Sequence, residues 1–162
     1  MLKYLFIITI ISVATYGCSS STPTPAEDLY NKTASVNTSD SLPENPLNWP
    51  VVTSLINRKA GSMATLYGND AAVNYARHHA DKNYPSGAKL ALVTWQQRTD
   101  EHWFGAKIPD NILSVEMIMF DSSSSPKYSV YKGKPLRLVN DSSSNRLATI
   151  LSYRAAVVPD RN

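Results

Sequence analysis

Between Lys89 and Tyr131, apolar residues recur at every second position in four short runs, and the links between the runs are only a few residues long. Lys89–Gln97 sets Ala91, Val93 and Trp95 against Leu90, Leu92 and Thr94. His102–Ile108 sets His102, Phe104, Ala106 and Ile108 against Trp103, Gly105 and Lys107. Leu113–Phe120 carries Val115, Met117 and Met119 on one side with Ile118 and Phe120 on the other, and Tyr128–Tyr131 is a shorter piece. Links this short cannot hold a crossover helix, so successive strands are expected to be antiparallel neighbours. A further strand is expected at Ser62–Tyr67. Gly68-Asn69-Asp70 breaks the chain and caps a helix over Asp70–Lys82, where Ala72, Val73, Ala76 and His79 share a face. Tyr84-Pro85-Ser86-Gly87 is turn chemistry, and a last helix is expected over Asn145–Ala156. The fold class is α+β: an antiparallel β-sheet meander with flanking helices. No Gly-rich phosphate loop, Gly-x-Ser-x-Gly elbow or internal repeat accompanies it.

Two segments precede this domain. Met1-Leu2-Lys3 is a short positive start, Tyr4–Tyr16 an uncharged and mostly apolar run, and Gly17-Cys18-Ser19 its close. The run is short for a bilayer span and fits the h-region of an export signal. A Cys directly after a small residue resembles the lipobox of bacterial lipoproteins, which implies cleavage after residue 17 and lipidation at Cys18. Thr15 and Tyr16 depart from that pattern, so an ordinary secretory signal or an anchoring helix also fits. Cys18 is the only Cys in the 162 residues, which leaves no intramolecular disulfide and no Cys-based zinc site. Ser19, in place of Asp, resembles lipoproteins sent to the outer membrane, so the expected partner is a membrane through the lipid anchor. Residues 18–46, rich in Ser, Thr, Pro and Asn, read as a flexible tether, and residues 47–162 as the domain. Sixteen Lys and Arg against thirteen Asp and Glu give a formal charge of +3, with no basic run to follow phosphates. Nucleic-acid binding is unsupported.

The residues that could carry chemistry are few. Of the three histidines, His79 falls on the apolar helix face and His78 at its edge; each reads as a structural histidine or a ligand. His102 stands at an expected strand start beside Asp100, Glu101, Trp103 and Phe104, where a polar hairpin mouth is the alternative. Adjacent Asp100 and Glu101 would point to opposite faces, which makes them poor as a paired acid and base. The aromatics Trp95, Trp103, Phe104, Phe120, Tyr128 and Tyr131 are spread along the strands, as core or as the wall of a flat cavity. No catalytic residue can be assigned.

Leu66-Tyr67-Gly68-Asn69-Asp70-Ala71-Ala72-Val73, followed by Tyr84-Pro85-Ser86-Gly87-Ala88-Lys89-Leu90-Ala91-Leu92-Val93, resembles the cytochrome P-460 family over residues 60–135. The resemblance implies a small α+β domain, often dimeric, that binds haem c and either oxidises hydroxylamine or binds nitric oxide and related gases. In that family the haem is held by a Cys-x-x-Cys-His motif near the C-terminus. The corresponding tail here, Tyr153-Arg154-Ala155-Ala156-Val157, has neither Cys nor His, so covalent haem c attachment is excluded. The family's lysine cross-link has no clear counterpart: Lys89 starts the strand and Thr94 stands near the expected place. Three functions follow as expectations: a haem-free binding module, a non-covalent haem protein for small gases, or a hydroxylamine-oxidising redox enzyme. If haem is bound, the expected pocket is built from Trp95, His102, Trp103, Phe104 and His79, with His102 or His79 on the iron.

Overall fold

The computed structural model describes residues 31–79, 81–122, 125–140 and 144–156. The expected signal peptide, the lipidation site Cys18 and the first part of the tether lie outside the described residues. Six strands form one antiparallel sheet in the order of the chain: β1 (Val51–Asn57), β2 (Ser62–Gly68), β3 (Lys89–Thr99), β4 (Lys107–Met119), β5 (Lys127–Lys132) and β6 (Arg137–Val139). Among the described residues two short α-helices accompany it, α1 (Asp70–His78) between β2 and β3 and α2 (Ser144–Ile150) after β6, with 3-10 turns at Lys32–Ala34 and Pro46–Asn48 before β1. Among the described residues no helix is long and apolar enough to cross a membrane.

The two side-chain rows of β3 build two separate cores. Leu90 and Leu92 join Leu66, Val52 and Ile118 beneath α1 and α2, which contribute Ala72, Val73 and Ile150. Ala91, Val93 and Trp95 join Val115, Met117, Tyr131 and Leu136 on the opposite face. That second face is covered by the chain from Asn31 to Trp49, which lays Ala34, Leu42, Leu47 and Trp49 on it. The sequence reads residues 18–46 as a flexible tether; from Asn31 onward its described part packs as a layer on the sheet. Its polar composition is put to use. The Trp95 indole Nε1 donates to the Ala34 carbonyl at 2.9 Å, the Leu136 amide donates to Asp40 Oδ1 at 2.7 Å, and Arg137 donates to the Ser39 carbonyl at 2.7 Å. Asn31 Nδ2 reaches the Pro109 carbonyl at 2.6 Å.

Asn69 fixes α1 against the sheet. Its Oδ1 accepts from the Ala72 amide at 3.1 Å, capping the helix, and from the Lys89 amide at 3.0 Å; its Nδ2 donates to the Gly87 carbonyl at 2.8 Å. One side chain thus ties the helix start, the β3 start and the preceding turn. Gly68 must stay bare, because a Cβ there would sit 3.0 Å from the Ala72 Cβ and 3.3 Å from Leu90 Cδ2.

The strand expected over His102–Ile108 is a turn as far as Ala106. Asp100 Oδ1 accepts from the His102 and Trp103 amides at 2.8 and 3.3 Å, and the Asp100 amide donates to the Ala106 carbonyl. Gly105 takes φ +78, which a residue with a Cβ rarely adopts. An Asp side chain closing its own turn overrides the alternation of the sequence. The β3–β4 register also shifts twice, between Thr94 and Trp95 and between Trp95 and Gln97.

Candidate functional site

The residues expected to share a pocket are not brought together. Trp95 is buried in the core beneath the N-terminal layer, with its indole nitrogen occupied by Ala34. His102, Trp103 and Phe104 project into solvent from the β3–β4 turn; Trp103 is 72% exposed and Phe104 fully so. His79 ends α1, stacked on Tyr75 with ring centroids 4.2 Å apart and its Nδ1 3.2 Å from the Tyr75 carbonyl. Among the described residues no cluster of His, Cys, Asp and Glu could hold a metal ion.

A different site lies on the helix-covered face. A cleft of about 520 Å³ opens between the sheet and the C-terminal segment, within the ~300–1,000 Å³ range usual for small-molecule and cofactor sites. Leu55 of β1, Ala64 of β2 and Leu92 of β3 give it an apolar floor, because they lie on the row that faces the helices. Asn57 at the end of β1 and Arg58 and Lys59 of the β1–β2 turn make a polar and cationic rim, and Arg146 of α2 and Tyr153 stand across from it. Thr94 also lines the cleft. Its Oγ1 is buried and has no hydrogen-bond partner among the described residues, although such groups are nearly always satisfied.

The wall beside Arg146 is held by a buried charge pair. Glu116, paired across β3 and β4 with Leu92, is 5% exposed. Arg146 grips it as a fork, Nε to Oε2 at 2.9 Å and Nη2 to Oε1 at 2.7 Å, and the Tyr128 hydroxyl donates to Oε2 at 2.5 Å. The hydrogen bonds to Glu116 raise the Arg146 pKa against the opposing effect of burial, with Glu116, Tyr153 and Tyr128 adding Coulombic support. The guanidinium is therefore fixed as a cation next to Tyr153. Among the described residues the lining contains cations, hydroxyls and apolar surface, with neither imidazole nor carboxylate. Such a set can bind and orient a ligand.

The sequence model of the Cytochrome P460 family matches residues 43–142, more than half of the chain. The chain belongs to the Cytochrome P460 family. The match takes in all six strands and α1 and stops before α2. No curated protein matches the sequence. Family membership makes two details of the cleft informative. Thr94 and Tyr153, the positions that the resemblance set near the family's cross-link and attachment tail, both line it. Neither Arg146 nor the β1–β2 turn carried any signal in the sequence, since each joins the cleft only through the tertiary fold.

Proposed function

We propose that this Cytochrome P460 domain binds haem without a covalent bond, in the cleft between β1–β3 and the segment from Arg146 to Tyr153. The observation that carries this reading is the cleft itself: an apolar floor, a cationic rim and an unpartnered hydroxyl, in a chain of this family. The residues fit the group. Leu55, Ala64 and Leu92 suit an apolar macrocycle, and exposed Arg58 and Lys59 suit its two carboxylates. Cys18 is the only cysteine, so the two thioethers of a Cys-x-x-Cys-His attachment cannot form. A bound haem would supply an iron centre for small gaseous ligands.

The test is titration of the purified protein with haemin. A saturable Soret band at one equivalent is expected, and removal of both rim charges (Arg58→Ala with Lys59→Ala) should weaken binding about tenfold, or ~1.4 kcal/mol. His102→Ala and His79→Ala should leave the band unchanged, because neither imidazole is at the cleft. A band that never saturates, or one that responds to the histidines and not to the rim, would refute the site.

The domain is further proposed to be carried at the outer membrane on lipid attached to Cys18, on the strength of the signal-like residues 1–17 and the position of the only thiol. Labelling with an alkyne fatty acid should mark the wild type and not Cys18→Ser; equal labelling would refute it.

A further inference from the structure

If haem occupies the cleft, as the reading above holds, its iron needs a ligand that is not histidine. Three residues of the lining carry an atom that commonly ligates iron or becomes able to when deprotonated: Lys59, Met63 and Tyr153. Met63 packs with the Trp95 core, on the other face of β2. Lys59 is exposed on the β1–β2 turn, at the rim of the cleft. Tyr153 is half-buried against the Leu92 and Ile118 core, and its hydroxyl has no hydrogen-bond partner among the described residues.

The tail around Tyr153 is held at both ends. Its own amide donates to the Ile150 carbonyl at 3.2 Å, and the Ala156 amide donates to the Val52 carbonyl of β1 at 2.8 Å. The phenol is therefore placed by α2 on one side and by the sheet on the other. Arg146, locked in its fork with Glu116, keeps a positive charge beside it. A phenolate oxygen is a hard ligand that prefers ferric to ferrous iron.

We infer that Tyr153 is the residue that would ligate the iron of a ferric haem held in this cleft. On binding, the Tyr153 O–H bond would break, its proton would pass to solvent, and the oxygen would take the place of the water or chloride that haemin carries in solution. No oxidant or reductant is consumed.

The experiment is haemin titration of the full chain, read by absorption and resonance Raman, with far-UV circular dichroism as the control for folding. The wild type should show tyrosinate vibrations in resonance with a phenolate-to-iron charge-transfer band. Tyr153→Phe should lose both, with affinity falling roughly tenfold. Tyr153→His should restore binding at the same stoichiometry with an imidazole-type spectrum, which a folding defect would not allow. Tyrosinate signals that persist in Tyr153→Phe, or a wild type that binds haemin without them, would overturn the ligand and leave the haem site standing. A wild type that binds no haemin at all would overturn both.

Discussion

Asp81 and Tyr75 show how a single exposed contact writes a pH dependence into this fold. The Tyr75 hydroxyl donates to Asp81 Oδ1, and that hydrogen bond is the main reason that the phenol is pushed up to about 12 from an ordinary 10.0. The folded chain then keeps a proton that the unfolded chain has lost. The contribution is complete below pH 10 and disappears as the pH climbs from about 10 to about 12. The same bond holds the Asp81 carboxyl below its usual range, so on the acid side the contribution is present at neutral pH and lost as the pH falls below 3.8. Ultraviolet titration should show one tyrosine ionising at markedly lower pH in Asp81→Asn than in wild type; coincident curves would contradict the bond. Glu116 is a costlier case, because its carboxylate is buried and Arg146 and Tyr128 satisfy it. Arg146→Ala should destabilise by about 2–4 kcal/mol, trimmed from the full cost of a broken buried pair by the solvent that reaches Arg146. Adding Glu116→Met should recover part of that loss, since an uncompensated charge costs more than an apolar replacement. A double variant less stable than the single would contradict this explanation.

At the level of elements, the segment from Asn31 to Trp49 behaves as a missing layer of the core despite having no strand or α-helix of its own. It covers Val93, Trp95 and Met117 and supplies hydrogen bonds to Trp95, Leu136 and Arg137. A protein beginning at Trp49 should be less stable than one beginning at Asn31 by about 3–5 kcal/mol, from lost burial of Ala34, Leu42 and Leu47 and the lost hydrogen bonds. That is a large share of the ~5–15 kcal/mol that holds a domain together, and the melting temperature should fall by about 10 °C or more. Equal midpoints would mean that the segment is indeed a free tether. The layer had left a trace in the sequence. β3 is apolar on both rows, Leu90 and Leu92 as well as Ala91, Val93 and Trp95, and a strand of that kind has to be covered twice. The flanking Ser, Thr, Asn and Pro hid the cover, because irregular chain has no period to detect. β1 was hidden for a related reason: the irregularity between Val51 and Thr53 breaks the alternation that would have exposed the strand. The strands with uninterrupted alternation, β2, β3, β5 and the second half of β4, were legible, as were the turns and caps at Asn69 and Gly87. The Asp100–Gly105 turn was not, since His102, Phe104 and Ala106 copy the spacing of a strand.

For the molecule as a whole, the cleft joins residues from β1, β2, β3, α2 and the tail, segments as far apart in sequence as Leu55 and Tyr153. No local pattern could have assembled it. The resemblance set Thr94 near the family's cross-link and Tyr153 in a tail without the attachment motif, assigning neither to a site; the fold brings both to the cleft while Trp95 faces the other core. The His102 turn and the cleft thus make opposite claims about where a haem would sit, and they can be separated by a paramagnetic map. Ferric haem bound to ¹⁵N-labelled protein broadens nearby amide signals. Broadening centred on residues 55–64, 92–94 and 146–153 is expected, with sharp signals retained at 102–104 and in the N-terminal layer at 34–47. Broadening centred on the His102–Phe104 turn, or scattered evenly over the surface, would contradict the assignment of the cleft.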